Sequence, residues 1–144
     1  MTLLVSKTRE NSQPFVRATE GSAGLDLSAC LDQPQIILPG ERCIIPSGLA
    51  VAIPSGTVGL VFGRSGLGIR HGITLANAVG VIDSDYRGEI MVGLINHSQN
   101  PYTVNPGERI AQLLLTPVLC PDIEVCDSLP ETIRGTDGFG STGR

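Results

Sequence analysis

The C-terminal residues 134–143 combine residue types that can enclose a phosphate group. The segment contains four glycines, and glycine-rich backbone can wrap closely around an anion with its N–H groups pointing inward. Arg134 adds a cation, and Ser141 and Thr142 add two hydroxyl donors. Phe139 supplies a flat face on which a nucleobase could stack. The alternative is a flexible tail of chance composition.

A second phosphate-binding pattern lies at residues 63–68, where a predicted strand ends and a predicted short helix begins. The first N–H groups of a helix favour anions, and Arg64 and Ser65 add a charged fork and a hydroxyl. The segment lacks the Gly-Lys-Ser/Thr ending of a Walker A loop, so it is not a P-loop. Arg-Ser-Gly is a common tripeptide and does not identify a function alone.

Residues 77–89 could supply the group that moves a proton. The pattern predicts a β-hairpin whose turn carries two aspartates and a tyrosine between apolar strands. Asp83 could orient and deprotonate a water molecule beside a phosphate site, and Tyr86 could pack against a sugar. The alternative is an Asx-turn, in which Asp83 and Asp85 only bond the backbone.

The elements that must position these segments are short strands. Glycine and proline recur about every eight to twelve residues between stretches rich in Val, Ile and Leu, which is typical of an all-β sandwich or barrel. Residues 57–62 alternate as a half-buried strand does, and residues 90–95 are apolar on both faces, which predicts cover on both sides. Residues 65–70 form the one plausible helix. We expect a single domain that ends in an irregular tail.

Composition excludes several classes of function. The net charge is −4, which disfavours non-specific binding to nucleic acid. The four cysteines form no C-x-x-C pair, so zinc is not expected, and buried free thiols are the simplest interpretation. No signal peptide opens the sequence, and the longest apolar run, residues 110–115, is far too short to span a membrane. We therefore expect a cytoplasmic protein.

Taken together and in order, the segments resemble the five motifs of the homotrimeric dUTPase family. The match extends over most of the chain, and five ordered motifs are far more specific than any one of them. The matching residues are 23–27, 64–67, 80–89, 106–113 and 134–143.

The resemblance implies an all-β, jelly-roll-like or β-barrel domain at residues 1–131, with one short helix and a flexible C-terminal arm at residues 132–144. It implies hydrolysis of dUTP to dUMP and pyrophosphate, which limits uracil in DNA and supplies dUMP for thymidylate synthesis. It also implies a homotrimer with shared active sites and Mg²⁺ held mainly by the triphosphate and water, with no direct protein ligand to the metal.

The same resemblance implies a role for individual residues. Asp83 is expected to activate the water that attacks the α-phosphorus, and Tyr86 to exclude a 2′-hydroxyl. Asp26 is expected to act through water on the Mg²⁺ side. The residues expected at the uracil are Asn77, Gly80, Val81, Ile82 and Met91. Those expected at the phosphates are Arg64, Ser65, Gly66 and Gln112. Those expected to close over the substrate from the arm are Arg134, Phe139, Gly140, Ser141 and Thr142.

The sequence departs from the family pattern at two positions. Gly63 stands where the family usually has proline, which we expect to loosen that turn. Asp137 stands where a glycine is usual and brings a negative charge near the phosphates. His71 and His97 are expected to be turn or surface residues.

Two other functions fit parts of the pattern. The dCTP deaminases share the fold but activate water with a glutamate, at a position where this chain has Gly93. A non-enzymatic nucleotide-binding module of the same fold would lack Asp83 or the arm. We expect Asp85 and Glu89 to be structural or paired with arginine.

Overall fold

The computed structural model describes residues 2–138, which contain ten strands and one short helix. The strands are β1 (Leu4–Lys7), β2 (Leu25–Ser28), β3 (Gln35–Ile37), β4 (Arg42–Ala52), β5 (Thr57–Gly63), β6 (Ile73–Leu75), β7 (Gly80–Ile82), β8 (Glu89–Asn96), β9 (Tyr102–Val104) and β10 (Arg109–Pro117), and the helix α1 is Ser65–His71.

The strands form two four-stranded sheets and one two-stranded sheet. Their strand orders are β1-β4-β8-β6, β2-β10-β5-β7 and β3-β9, and neighbouring strands in each sheet are antiparallel. All three sheets contribute buried aliphatic side chains to a single core, for example Leu94, Leu113 and Val104. The prediction of an all-β, jelly-roll-like domain is confirmed, although in residues 2–138 the sheets do not close into a continuous barrel.

The helix predicted at residues 65–70 is present as α1 (Ser65–His71). It buries Leu67 and ends at Gly72, whose left-handed φ of 68° allows its N–H to bond the Gly68 carbonyl at 3.0 Å. Glycine adopts that conformation without steric cost, which explains why the helix stops here. No helix within residues 2–138 is long and apolar enough to span a membrane.

Strand β5 lies inside its sheet and follows the predicted alternation. Thr57, Gly59 and Val61 are buried, and the residues between them are half-buried. Its last residue, Gly63, pairs in register with Ala111 of β10. Gly63 is thus held in the sheet, and its effect on the turn that follows stays a prediction.

The prediction that residues 77–89 form a β-hairpin is wrong, because β7 and β8 do not pair with each other. Strand β7 pairs with β5 in one sheet, whereas β8 pairs with β4 and β6 in the other. The turn that carries Asp83 and Tyr86 therefore leads the chain from one sheet to the other. The sequence could not show this, because each strand finds its partner far away along the chain.

The prediction that residues 90–95 are covered on both faces is also wrong within one chain. Ile90, Val92 and Leu94 are buried, but Met91 is 47% exposed. Ile44 of the neighbouring strand β4, which pairs with Gly93 of β8, is 70% exposed. Strand β8 thus presents an apolar outer face that nothing in residues 2–138 covers.

The segment after β10 makes few contacts with the rest of the chain. Residues 118–138 contain no strand or helix and are exposed throughout, including large aliphatic side chains such as Ile123 and Val125. Cys120 and Cys126 lie here, so the expectation of buried thiols holds for Cys30 but is wrong for these two. All four cysteines are free.

The turn inside β4 depends on a close approach at Gly48. Its φ is 71°, and a Cβ added there would overlap the Ser12 side chain and lie 2.7 Å from the Cys30 Sγ. Gly56 has a similar φ of 76° but open space around it.

We expect Gly48→Ala to lower the free energy of unfolding by about 1–3 kcal/mol more than Gly56→Ala, because both strain the backbone but only the first adds overpacking. Thermal or urea unfolding at equal protein concentration measures the difference. Equal losses would show that the approach at Gly48 is not restrictive.

Candidate active site

One open cavity of about 730 Å³ lies where β2, β5, β10 and the start of α1 meet. It brings together all five residues predicted at the phosphates and on the Mg²⁺ side. It is lined by Ala18, Ser22, Ala23, Gly24, Asp26, Phe62, Gly63, Arg64, Ser65, Gly66, Gln112 and Leu114. We refer to it as the phosphate cavity.

A carboxylate held between two arginines forms the charged wall of the phosphate cavity. The Asp26 side chain is only 11% exposed; its Oδ1 lies 3.2 Å from Arg64 Nε and its Oδ2 lies 3.0 Å from Arg109 Nη1. Arg64 Nη1 also donates to the Arg109 carbonyl at 3.2 Å. The three side chains together carry a net charge of +1, which attracts an anion.

Gln112 reaches the same cavity because Gly24 has no side chain. Gln112 pairs with Asp26 across β10 and β2, and its Nε2 donates to the Gly63 carbonyl at 3.2 Å. A Cβ added to Gly24 would overlap the Gln112 Oε1 and lie 3.3 Å from its Cβ. Gly24 therefore keeps the Gln112 amide in the cavity.

Two adjoining clefts lie beside β7 and β8 and contain the residues predicted at the base and sugar. The first, about 130 Å³, is lined by Val61, Leu75, Asn77, Gly80, Val81, Ile82, Met91, Val92 and Gly93. The second, about 180 Å³, is lined by Val81, Ile82, Asp83, Tyr86, Glu89, Ile90 and Met91. We call them the base cleft and the sugar cleft.

The turn in the sugar cleft leaves a carboxylate without a bond. The Tyr86 N–H donates to the Asp83 carbonyl at 3.2 Å, and the Tyr86 hydroxyl donates to the Glu89 carbonyl at 3.1 Å. Neither the Asp83 nor the Asp85 side chain bonds any residue in the described part of the chain, so the alternative of an Asx-turn is not observed. The Tyr86 ring can pack here only because residue 88 is a glycine, since an added Cβ would overlap the ring.

Glu89 is paired with arginine, as expected. Arg9 Nε lies 2.8 Å from its Oε1, which also accepts the Gly48 N–H at 2.7 Å. Burial by itself raises the pKa of Glu89, but the bonds from Arg9 and Gly48 outweigh it and leave the pKa below its ordinary value. Glu89 is thus an anchored anion, and Asp83 is the carboxylate that remains available in the sugar cleft.

The phosphate cavity and the sugar cleft lie at opposite ends of the same strand. Ile82 pairs with Gly59 near the beginning of β5, and Asp83 follows it, whereas Arg64 comes directly after the end of β5. Six residues of extended strand separate the two positions, or about 20 Å at the usual rise per residue. The α- and γ-phosphorus atoms of one triphosphate are far closer together than this.

Arg134 is the predicted arm residue that lies within the described part of the chain, and it joins neither half. Arg134 is exposed, and its Nε donates to the carbonyl of Asp137 at 3.0 Å. Four further predicted residues lie outside the described part of the chain: Phe139, Gly140, Ser141 and Thr142. His71 is the last residue of α1 and His97 follows β8 directly; both are exposed, as expected.

Arg109, which binds Asp26 from outside the cavity lining, is a charged residue to which the sequence alone assigns no role. In a regular strand, Arg109 and Gln112 would point to opposite faces, because they are three residues apart. The pairing of β10 with β2 shifts register between Arg109 and Ala111, and such a bulge brings the side chain back to the face of Asp26. Its place within the motif at residues 106–113 was the only signal.

Comparisons with known proteins identify the family. The dUTPase family model matches residues 10–143. The deoxyuridine 5′-triphosphate nucleotidohydrolase of Burkholderia cenocepacia (strain HI2424) is 51% identical over 128 residues, which cover 88% of this chain and 86% of that protein. The chain belongs to the dUTPase family.

Other relatives and solved structures agree. The nucleotidohydrolase of the same name from Desulfitobacterium hafniense (strain DSM 10664 / DCB-2) is 54% identical over 127 residues, covering 88% of this chain and 84% of that protein. The Staphylococcus bacteriophage 80alpha dUTPase, solved with dUpNHpp, has a TM-score of 0.89 at 27% identity and covers 99% of both chains. A variant of the phage phi11 dUTPase, solved to show a structural Mg(II) ion, shares the fold with a TM-score of 0.82 at 24% identity, over 91% of this chain and 100% of that one.

The contact between Gly24 and Gln112 gives a test of the phosphate cavity. Gly24→Ala should displace the Gln112 amide and weaken binding of dUpNHpp by about tenfold, the usual worth of a hydrogen bond to a charged group. Gly21→Ala is the matched control, because an added Cβ there meets nothing within 4 Å. Titration calorimetry measures both, and equal affinities in the two variants would remove Gln112 from the set of phosphate ligands.

Proposed function

We infer that this chain hydrolyses dUTP to dUMP and pyrophosphate, the reaction of the family to which it belongs. The observation that carries the assignment is the Asp83 carboxylate, which is exposed and unbonded within residues 2–138 and lies in a cleft that adjoins the base cleft. A base that must accept a proton needs a carboxylate that is not already neutralised by an ion pair.

In the proposed reaction, Asp83 accepts a proton from a water molecule as that water attacks the α-phosphorus. The new bond joins the water oxygen to the α-phosphorus, and the bond from that phosphorus to the bridging oxygen breaks. Pyrophosphate leaves with the electron pair of that bond, and dUMP remains. Positioning of the water by Asp83 supplies the orientation that free water lacks.

Tyr86 is proposed to select the deoxy sugar. The hydroxyl end of its ring is fixed, by the bond to the Glu89 carbonyl and by packing over Gly88. A ring held in this way forms a rigid floor for the sugar, against which a 2′-hydroxyl would be crowded. The base is proposed to lie in the neighbouring cleft, against Asn77, the backbone of residues 80–82 and Met91.

The phosphates are proposed to bind in the phosphate cavity of a neighbouring copy, to Arg64, Ser65, Gly66 and Gln112. Among residues 2–138, no three His, Cys, Asp or Glu side chains are grouped to hold a metal ion. The donor set suits a Mg²⁺ ion that keeps its waters and takes phosphate oxygens, since each oxygen of Asp26, the one acid lining the cavity, can still accept a water. When bound, Mg²⁺ would neutralise phosphate charge.

A homotrimer with shared sites explains three features of the single chain. Asp83 and Arg64 are about 20 Å apart along β5, too far to meet on one triphosphate. The outer face of β8 is apolar and uncovered, and so is the extended segment with Ile123 and Val125, and exposed apolar surfaces of this kind mark interaction sites. A closed threefold assembly would unite Asp83 of one copy with Arg64 of a second. The arm at residues 132–144 would come from a third.

Deamination of dCTP is not supported by the cleft. None of the residues lining the base cleft carries a titratable side chain. Gly93 lies in open surroundings, where an added Cβ would meet only the Ala76 Cβ at 3.9 Å. Glu89 is held by Arg9. A carboxylate that could activate water at the base is therefore absent from this cleft.

Four free cysteines, two of them exposed, suit a reducing compartment, and we place the enzyme in the cytoplasm on that ground.

Asp83→Asn tests the proposed base. The amide keeps the shape of the side chain but cannot accept the proton, so turnover of dUTP should fall by about 10²–10⁴ with dUpNHpp binding retained. Asp85→Asn is the matched control, because Asp85 is an exposed carboxylate in the same turn. Pyrophosphate release measures both variants. Turnover within a few-fold of the wild type in Asp83→Asn, or an equal loss in the control, would refute the assignment.

Mixed assemblies test whether the two halves come from different copies. Asp83→Asn and Arg64→Gln chains should each be nearly inactive, but about a quarter of the sites should be complete after they are unfolded and refolded together at equal amounts. The control replaces the Arg64→Gln chain with the double variant, which leaves no intact Asp83. Mixed trimers that form but gain no activity over their parents would place both residues in one site on one chain.

A further inference from the structure

We propose that Arg109 is a positioning residue, which fixes the guanidinium of Arg64 for the triphosphate without binding the substrate itself. The inference rests on the proposed role of Arg64 and adds a residue that this role depends on. It comes from the hydrogen bonds in the wall of the phosphate cavity.

The Arg64 guanidinium is held at two separate atoms, and both contacts depend on Arg109 or its backbone. Its Nε is held by Asp26 Oδ1 at 3.2 Å, and its Nη1 donates to the Arg109 carbonyl at 3.2 Å. A guanidinium has five N–H donors, so three remain for an anion. Two fixed atoms determine both the place and the plane of the group, which favours binding of a phosphate by two parallel bonds.

Asp26 can hold Arg64 in this place only while its other oxygen is held as well. Arg109 Nη1 binds Asp26 Oδ2 at 3.0 Å. Without that bond, the carboxylate can rotate about its side-chain torsions and carry the Arg64 Nε with it. The side chain of Arg109 therefore acts on Arg64 through Asp26, while its backbone acts directly.

The positive charge of Arg109 also favours binding of the substrate by Arg64. Asp26 paired with Arg64 alone would be a neutral wall, and the carboxylate would compete with the phosphates for the guanidinium. With Arg109 present, the group carries a net +1, and Asp26 shares its charge between two cations. Arg109 thus leaves Arg64 more available to the substrate, although it is 45% exposed and is not among the residues that line the cavity.

The bulge in β10 is the structural device that makes this arrangement possible. Ile110 is the extra residue between the paired positions Arg109 and Ala111, and both Ile110 and Ala111 are buried. The bulge turns Arg109 toward Asp26 while Gln112 keeps its own place opposite Asp26. Strand β10 can then supply both a proposed phosphate ligand, Gln112, and the residue that positions Arg64.

The test compares binding of two ligands to three variants. Arg109→Gln should weaken dUpNHpp by about tenfold or more, as should Arg64→Gln, because each removes a charge-assisted bond. Affinity for dUMP should change less than about threefold, since dUMP lacks the β- and γ-phosphates of the triphosphate. The double variant should bind dUpNHpp no more weakly than Arg64→Gln, because residues acting in series are not additive.

Two controls separate positioning from a general effect of charge or folding. Arg42→Gln removes a surface arginine that makes no side-chain bond in the described part of the chain, and it should leave both affinities unchanged. Arg109→Lys keeps a cation that can reach Asp26 and should recover part of the dUpNHpp affinity. Thermal unfolding of every variant shows whether the fold is kept, and the Lys variant carries the test if the Gln variant does not fold.

The outcomes distinguish the inference from the function on which it rests. If Arg64→Gln leaves dUpNHpp affinity unchanged, both the phosphate role of Arg64 and the role of Arg109 fall. If Arg64→Gln weakens binding but Arg109→Gln does not, only the positioning role falls. If the two losses multiply in the double variant, Arg109 binds the phosphates independently and is a ligand. Equal losses for dUpNHpp and dUMP would make the effect structural.

Discussion

The rigidity of β5 is the constraint on which the rest of the site depends. The strand is bonded on both edges, to β10 along its whole length and to β7 over three residues. Its ends therefore cannot approach each other, and the two halves of the site at those ends stay about 20 Å apart. In a single chain, the proposed phosphate ligands therefore lie apart from the proposed base, Asp83. Assembly is what can bring the two together.

The charges of each half are arranged so that one group is held and another stays available. In the phosphate cavity, Asp26 is held by two arginines, and Arg64 keeps three donors for the substrate. In the sugar cleft, Glu89 is held by Arg9 and the Gly48 backbone, and the Asp83 side chain bonds nothing in residues 2–138. Buried or half-buried charges are stable only when they are paired. Because Asp26 and Glu89 are each paired with arginine, Arg64 and Asp83 are the groups left available to a substrate.

Local features of the structure could be predicted from the sequence. The helix predicted at residues 65–70 is observed at Ser65–His71, one residue longer. The alternation in β5 and the all-β class follow from the spacing of glycine, proline and aliphatic residues. The residues proposed at the phosphates and at the base could be named through the family motifs, and their roles stay predictions; the structure groups each set in one cavity or cleft.

Features that depend on distant pairing could not be predicted. The turn at Asp83 was expected to close a hairpin, but β7 and β8 pair with strands of different sheets. The outer face of β8 was expected to be covered, but Met91 is exposed in the single chain. The role of Arg109 depends on a bulge, which shifts the face of one side chain without leaving a distinctive residue pattern.

The features that could be predicted and those that could not have different physical causes. A turn residue or a helix end is decided by the conformational preferences of a few neighbouring residues. Register, bulges and the cover of a sheet face are decided by which strands meet, including those of other copies. The separation of the two half-sites became visible only when the register of β5 with β7 was known.

The most direct measurement is a crystal structure of the protein with dUpNHpp and Mg²⁺. A shared site predicts that each bound nucleotide has its sugar beside Asp83 and Tyr86 of one copy and its phosphates beside Arg64 and Gln112 of a second. A nucleotide that contacts Asp83 and Arg64 of the same copy would contradict it.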